Sequence, residues 1–105
     1  MNNLVEALSR EWQGEGFFYF ARSMHFNEVA AMRLLETLRQ IDPVQHSGSE
    51  RRQLLESIWQ LPYFALSYEA RCLENGVPED RYDSFRIKLD RLVEEKVNGL
   101  IEQLQ

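Results

Sequence analysis

Between successive glycine and proline stops, apolar residues in this chain recur at three- and four-residue steps, which is the period of a helix buried on one face. Leu4, Leu8 and Trp12 form the first such stripe, with Val5 beside them. A helix is therefore expected over 4–13, capped by Asn2 or Asn3 and stopped at Gly14-Glu15-Gly16. Residues 17–41 contain no glycine or proline. Phe17, Phe20, Met24, Ala31, Leu35 and Leu38 share one face there. The run Phe17-Phe18-Tyr19-Phe20 has a strand-like composition, but no second run exists to pair with it, so helix is the reading. Asn27 and Glu28 are polar residues on that apolar face. Either the helix breaks at 25–27, with Asn27 capping a fresh helix at Glu28, or the pair is a polar spot in a groove.

Asp42-Pro43 ends the second segment. In the loop that follows, Ser47 and Glu50 have the spacing of a capping box. The third segment runs to Asn75-Gly76 and contains Pro62. Because Leu55, Trp59, Tyr63, Leu66, Ala70 and Leu73 keep one phase across the proline, the expectation is one helix kinked at Pro62, with Trp59 on its buried face. Val77-Pro78-Glu79-Asp80 starts the last helix, expected over 80–103 and carrying Phe85, Leu89, Leu92, Val93, Val97, Leu100 and Leu104 inward. Gly99 costs that helix roughly 1 kcal/mol relative to alanine. The expected fold class is all-α: one domain over 1–105, a small bundle of about four helices.

Composition then restricts function. Seventeen acidic residues against twelve basic ones give a formal net charge of −5, which disfavours a nucleic-acid surface, since phosphates call for clustered Lys and Arg. No apolar run is long enough to span a bilayer, and the N-terminus lacks a basic-then-apolar leader. The single cysteine, Cys72, cannot close an internal disulfide, so the cytoplasm is the expected compartment.

Catalytic and metal constellations are thin. Two histidines and one cysteine, far apart in sequence, make a poor zinc set, and the His25/Glu28 pair is too sparse for a di-iron site. Cys72 has no histidine near it in sequence and reads as a small hydrophobe. Gly14-x-Gly16 is too short for a phosphate loop. Glu79-Asp80 and Glu94-Glu95 read as a helix start and a solvated face. No catalytic residue, cofactor or metal is expected, and the chain reads as a non-enzyme.

What remains is aromatic. Twelve aromatic side chains include several off the main stripes: Phe18, Tyr19 and Phe26, the pair Phe64 and Tyr68, and Tyr82 within Glu79-Asp80-Arg81-Tyr82-Asp83. Exposed aromatics beside acids are the form of an interface anchor with a charged rim. The expected partner-binding set is therefore Tyr68, Phe64, Tyr82, Glu79, Asp80 and Asp83. An acidic binding module implies a partner with a basic surface. The expected function is an inhibitor of the bacterial immunity type, occluding the basic active site of a nuclease-like toxin. The alternative is a regulatory or adaptor bundle, homodimeric through the last helix by Ile87 and Ile101.

Overall fold

The computed structural model describes residues 3–105. Among them are six helices and no strand: α1 (Asn3–Arg10), α2 (Phe17–Arg22), α3 (Glu28–Arg39), α4 (Gly48–Ile58), α5 (Leu61–Glu74) and α6 (Glu79–Leu104). The chain is all-α, as expected, but two of the four expected segments are each split in two. Asn2, one of the two proposed caps of α1, lies outside the described residues, and Asn3 is already helical.

The first split falls at 23–27. The His25 N–H donates to the Phe20 carbonyl and the Met24 N–H to the Ala21 carbonyl, the paired bonds of a Schellman stop. The residue between the two turns must then be left-handed, and Met24 has φ 68°. That conformation costs an L-residue about 1–2 kcal/mol. At the end of α5 the same two bonds recur, from Val77 to Cys72 and from Gly76 to Leu73, and there the left-handed residue is a glycine. Of the two readings of Asn27, the cap is the one that forms, its Oδ1 accepting from the Ala30 N–H at 2.9 Å.

The second split corrects the expected kink. Pro62 does not bend one continuous helix; α4 ends at Ile58, Trp59 and Gln60 form the joint, and Pro62 sits in the first turn of α5. Proline lacks the N–H that a helix interior needs, but a first-turn amide has no intrahelical partner anyway. The joint changes which face is buried. Leu54, Ile58, Leu61, Ala65 and Cys72 point into the core, whereas Trp59, Tyr63 and Leu66 point out.

The Ser47–Glu50 capping box forms in both directions: Ser47 Oγ accepts from the Glu50 N–H, and Glu50 Oε1 accepts from the Ser47 N–H. These bonds hold the Glu50 carboxyl below its ordinary range. Arg51, one turn later, donates from Nε to the Pro43 carbonyl and from Nη2 to the Val44 carbonyl, tying the 42–47 loop to α4.

At 26 residues, α6 is about 39 Å long, which accounts for the 43 Å long axis of the molecule. It is the spine against which α3, α4 and α5 pack. Gly99 has a purpose that its propensity cost conceals: a Cβ there would lie 2.7 Å from Pro43 Cγ, so glycine lets the 42–47 loop seat on the spine.

Behind this frame lies a buried carboxylate. Glu11 is 2% exposed. Its Oε1 accepts from the Phe17 N–H, an otherwise unsatisfied first-turn amide of α2, and from Arg33 Nη2, both at 2.9 Å; its Oε2 accepts from Arg33 Nε at 2.9 Å. The Glu11 backbone carbonyl also accepts from the Phe18 N–H. The hydrogen bond to Glu11 holds the Arg33 guanidinium above its ordinary value, although burial opposes it. Gly16 passes so close that a Cβ on it would lie 2.3 Å from the Glu11 carbonyl carbon. One carboxylate therefore joins α1, α2 and α3.

Candidate functional site

Of the six residues expected to bind a partner, Tyr82 is placed differently from the reading above. It is fully buried, its hydroxyl donating to the Ala65 carbonyl at 2.5 Å and its ring lying 5.6 Å from that of Phe26. Burial pushes the phenol well above its ordinary value, so it stays a neutral donor. The reason is phase: Tyr82, Phe85, Leu89 and Val93 share the inward face of α6, and the acids around Tyr82 point outward. Tyr82 is a core residue.

Phe64 and Tyr68 are half-buried on the flank of α5, their rings 6.2 Å apart. Phe64 meets Trp12 edge-on at 5.0 Å, and Trp12 stacks on the buried Phe18 at 4.3 Å. These rings form an aromatic wall linking α1, α2 and α5, and Phe64 belongs as much to it as to the surface. Phe26 is half-buried and Tyr19 exposed. Glu79 and Asp80 are exposed in the first turn of α6, where acids complement the helix dipole. Asp83 is bound to Arg86 Nη2 at 2.8 Å.

Four of the residues that sequence reasoning placed in the core, Trp59, Tyr63, Leu66 and Ala70, are instead exposed. Trp59 is 57% exposed, Tyr63 67% and Leu66 58%. Tyr63, Leu66 and the exposed Ala70, at three- and four-residue spacing, make one stripe along the outer side of α5, and Trp59 lies just before it in the α4–α5 joint. A treatment of Pro62 as a helix start would have found it, since Leu61, Ala65 and Cys72 then become the inward face.

One edge of the stripe is acidic. Glu69, three residues beyond Leu66, pairs with Arg86 Nε of α6 at 3.1 Å. Arg86 also holds Asp83 at 2.8 Å and Asp90 at 3.2 Å. Three carboxylates around one guanidinium carry a formal charge of −2, and the Arg86 side chain is only 24% exposed. Burial raises the Asp90 carboxyl, and Arg86 opposes the rise. Asp90 Oδ1 is buried without a hydrogen-bond partner. The edge of this face thus joins apolar contact area to negative charge.

Other reactive groups stand apart. Cys72 is buried, its thiol donating weakly to the Ala21 carbonyl at 3.7 Å, and burial pushes its pKa up, away from the thiolate. His25 is exposed. Among the described residues no three His, Cys, Asp or Glu side chains are grouped to hold a metal, and no helix is long and apolar enough to cross a membrane. No protein-family model, no curated protein and no solved structure matches the chain.

Because Trp59 faces solvent, Trp59→Ala is expected to change stability by less than about 0.5–1 kcal/mol, against about 3–5 for a buried tryptophan. Urea unfolding followed by circular dichroism measures the difference. A loss near 4 kcal/mol would place Trp59 in the core.

Proposed function

We propose that this chain is a protein-binding inhibitor of the immunity type, whose acidic surface occludes the basic active site of a nuclease-like toxin. The observation that carries the reading is the exposed Tyr63-Leu66 stripe of α5, with Trp59 in the joint before it and Glu69 on its flank, linked through Arg86 to Asp83 and Asp90 of α6. Trp and Tyr are the side chains that most often anchor interfaces, because they bring large apolar area with few rotatable bonds. The acidic edge selects the partner's charge. A site that holds phosphates is lined by Lys and Arg, and a negative surface both speeds encounter with it and suppresses acidic competitors. Tyr68 and Phe64 extend the contact on one flank, and Glu79, Asp80 and Asp83 add charge at the start of α6.

The test compares the wild type with Tyr63→Asp/Leu66→Asp, both immobilised and exposed to lysate of the native host. The wild type is expected to retain a basic protein, identified by mass spectrometry. The double variant, with an unchanged circular dichroism spectrum, should lose it. Retention by both, or capture of acidic proteins only, contradicts the proposal.

A second reading, an adaptor bundle pairing with a copy of itself through α6, is favoured by the partial exposure of Ile87 and Ile101 on that helix. It predicts a concentration-dependent dimer in sedimentation that Ile87→Asp/Ile101→Asp abolishes.

A further inference from the structure

A second open apolar surface lies between α3 and α6. It is a cleft of about 530 Å³, within the ~300–1,000 Å³ range of small-ligand sites. Leu35 and Phe85, both buried, line its floor together with the half-buried Phe26. Val29 and Met32 form one lip and are 75% and 61% exposed. The other lip is α6, from Arg81 past Ser84 to Lys88, which spans about 10 Å at ~1.5 Å per residue.

The two ends differ. At one end Glu28 of α3 and Arg81 of α6 join at 3.1 Å, a strut from one wall to the other. A peptide helix running along the cleft would have to displace that strut, whereas a short ligand can end against it. At the other end stands Lys88, exposed and with no ion pair among the described residues. Its neighbours three and four residues away on α6 are Ser84, Phe85, Arg91 and Leu92, none of them acidic. The lining side chains Arg81, Lys88 and Glu28 sum to +1, in a chain whose net charge is −5. At physiological salt the Debye length is about 8 Å, so the distant acids are screened and the adjacent cation governs the cleft mouth.

We infer that the α3–α6 cleft binds a small amphiphilic monoanion, a free medium-chain carboxylate, with its tail over Phe85 and Leu35 and its head group on Lys88. An unbranched tail suits a floor that is apolar throughout its length. The thioether of Met32 can repack around tails of different width. A monoanion suits one unpaired ammonium, which acts as a point charge rather than a planar fork. This site is independent of the α5 face and does not rest on the inhibitor reading.

The probe is decanoate, titrated below its micelle concentration into isotopically labelled protein and followed by amide chemical shifts. Saturable shifts are expected within 28–35 and 81–88. Decyltrimethylammonium, with the same tail and the opposite head, should bind at least about tenfold more weakly, and Lys88→Glu should weaken decanoate by a similar factor while leaving the circular dichroism spectrum unchanged. Equal binding of the two head groups overturns the inference, as do shifts centred on 59–70. Binding only to anionic vesicles overturns it in favour of a membrane contact. Shifts in the cleft that follow protein concentration without ligand overturn it in favour of a second copy.

Discussion

Gly16→Ala is expected to destabilise the fold by about 3 kcal/mol or more, the upper end of what overpacking does, because the contact is with backbone that cannot rotate away. The sign is informative. Gly16 has φ −74° and ψ 158°, which alanine adopts freely, so relief of unfolded-state entropy alone would stabilise by about 0.4–1 kcal/mol. The new Cβ, however, would lie 2.3 Å from the Glu11 carbonyl carbon. Separating the two backbones stretches the bonds from the Phe17 and Phe18 amides to Glu11. A domain of this size holds about 5–15 kcal/mol in all, so the melting temperature should fall by at least ~12 °C. Gly48→Ala supplies the contrast, since a Cβ there meets nothing within 4 Å, and a gain of about 0.5 kcal/mol is expected. Thermal melts of the two variants should move in opposite directions. A neutral Gly16→Ala would mean that the 11–17 turn is not close-packed.

Glu11→Ala should cost about 2–4 kcal/mol. The loss combines an unsatisfied buried amide at Phe17, worth about 1–3 kcal/mol, with the half-exposed ion pair to Arg33, worth about 0–1. The Arg33 side chain is 48% exposed and can return to water, so the full penalty of a stranded buried charge does not apply. Glu11→Gln should lose less, about 1–2 kcal/mol, because its amide oxygen still accepts from Phe17. Denaturant unfolding of both variants, alone and with Arg33→Met, separates cap from ion pair. If the Glu11→Ala loss disappears entirely in the Arg33→Met background, the capping of Phe17 has no value.

How much of this was legible in the sequence depends on how local each signal is. The Ser47–Glu50 box, the Asn27 cap and the α6 core positions Phe85, Leu89, Val93 and Leu100 are set within one or two helical turns; the box and those core positions form as read, and the cap is the one of its two readings that forms. The outer stripe of α5 was misread because both of its faces are apolar, so periodicity alone does not choose between Tyr63 and Ala65. The choice is made at 59–60, where Pro62 begins a new helix instead of bending an old one. Tyr82 was misread for the opposite reason: its charged neighbours suggested exposure, while its own period with Phe85 and Leu89 already turned it inward. Glu11 gave no local sign at all, because its partner Arg33 is 22 residues away and is brought to it only by the packing of α1 against α3. The candidate face was thus legible in kind, an aromatic surface beside acids, but not in position.

Stopped-flow association with the captured basic partner, across a salt series, bears most directly on the claim that this acidic, aromatic face occludes a basic site. Raising salt from ~0.05 to ~0.5 M shortens the Debye length from roughly 14 Å to 4 Å. If charge steers the encounter, the association rate should fall steeply over that range, and Glu79→Lys/Asp80→Lys should lower it further at the low-salt end only. An association rate that stays flat across the series would contradict electrostatic occlusion.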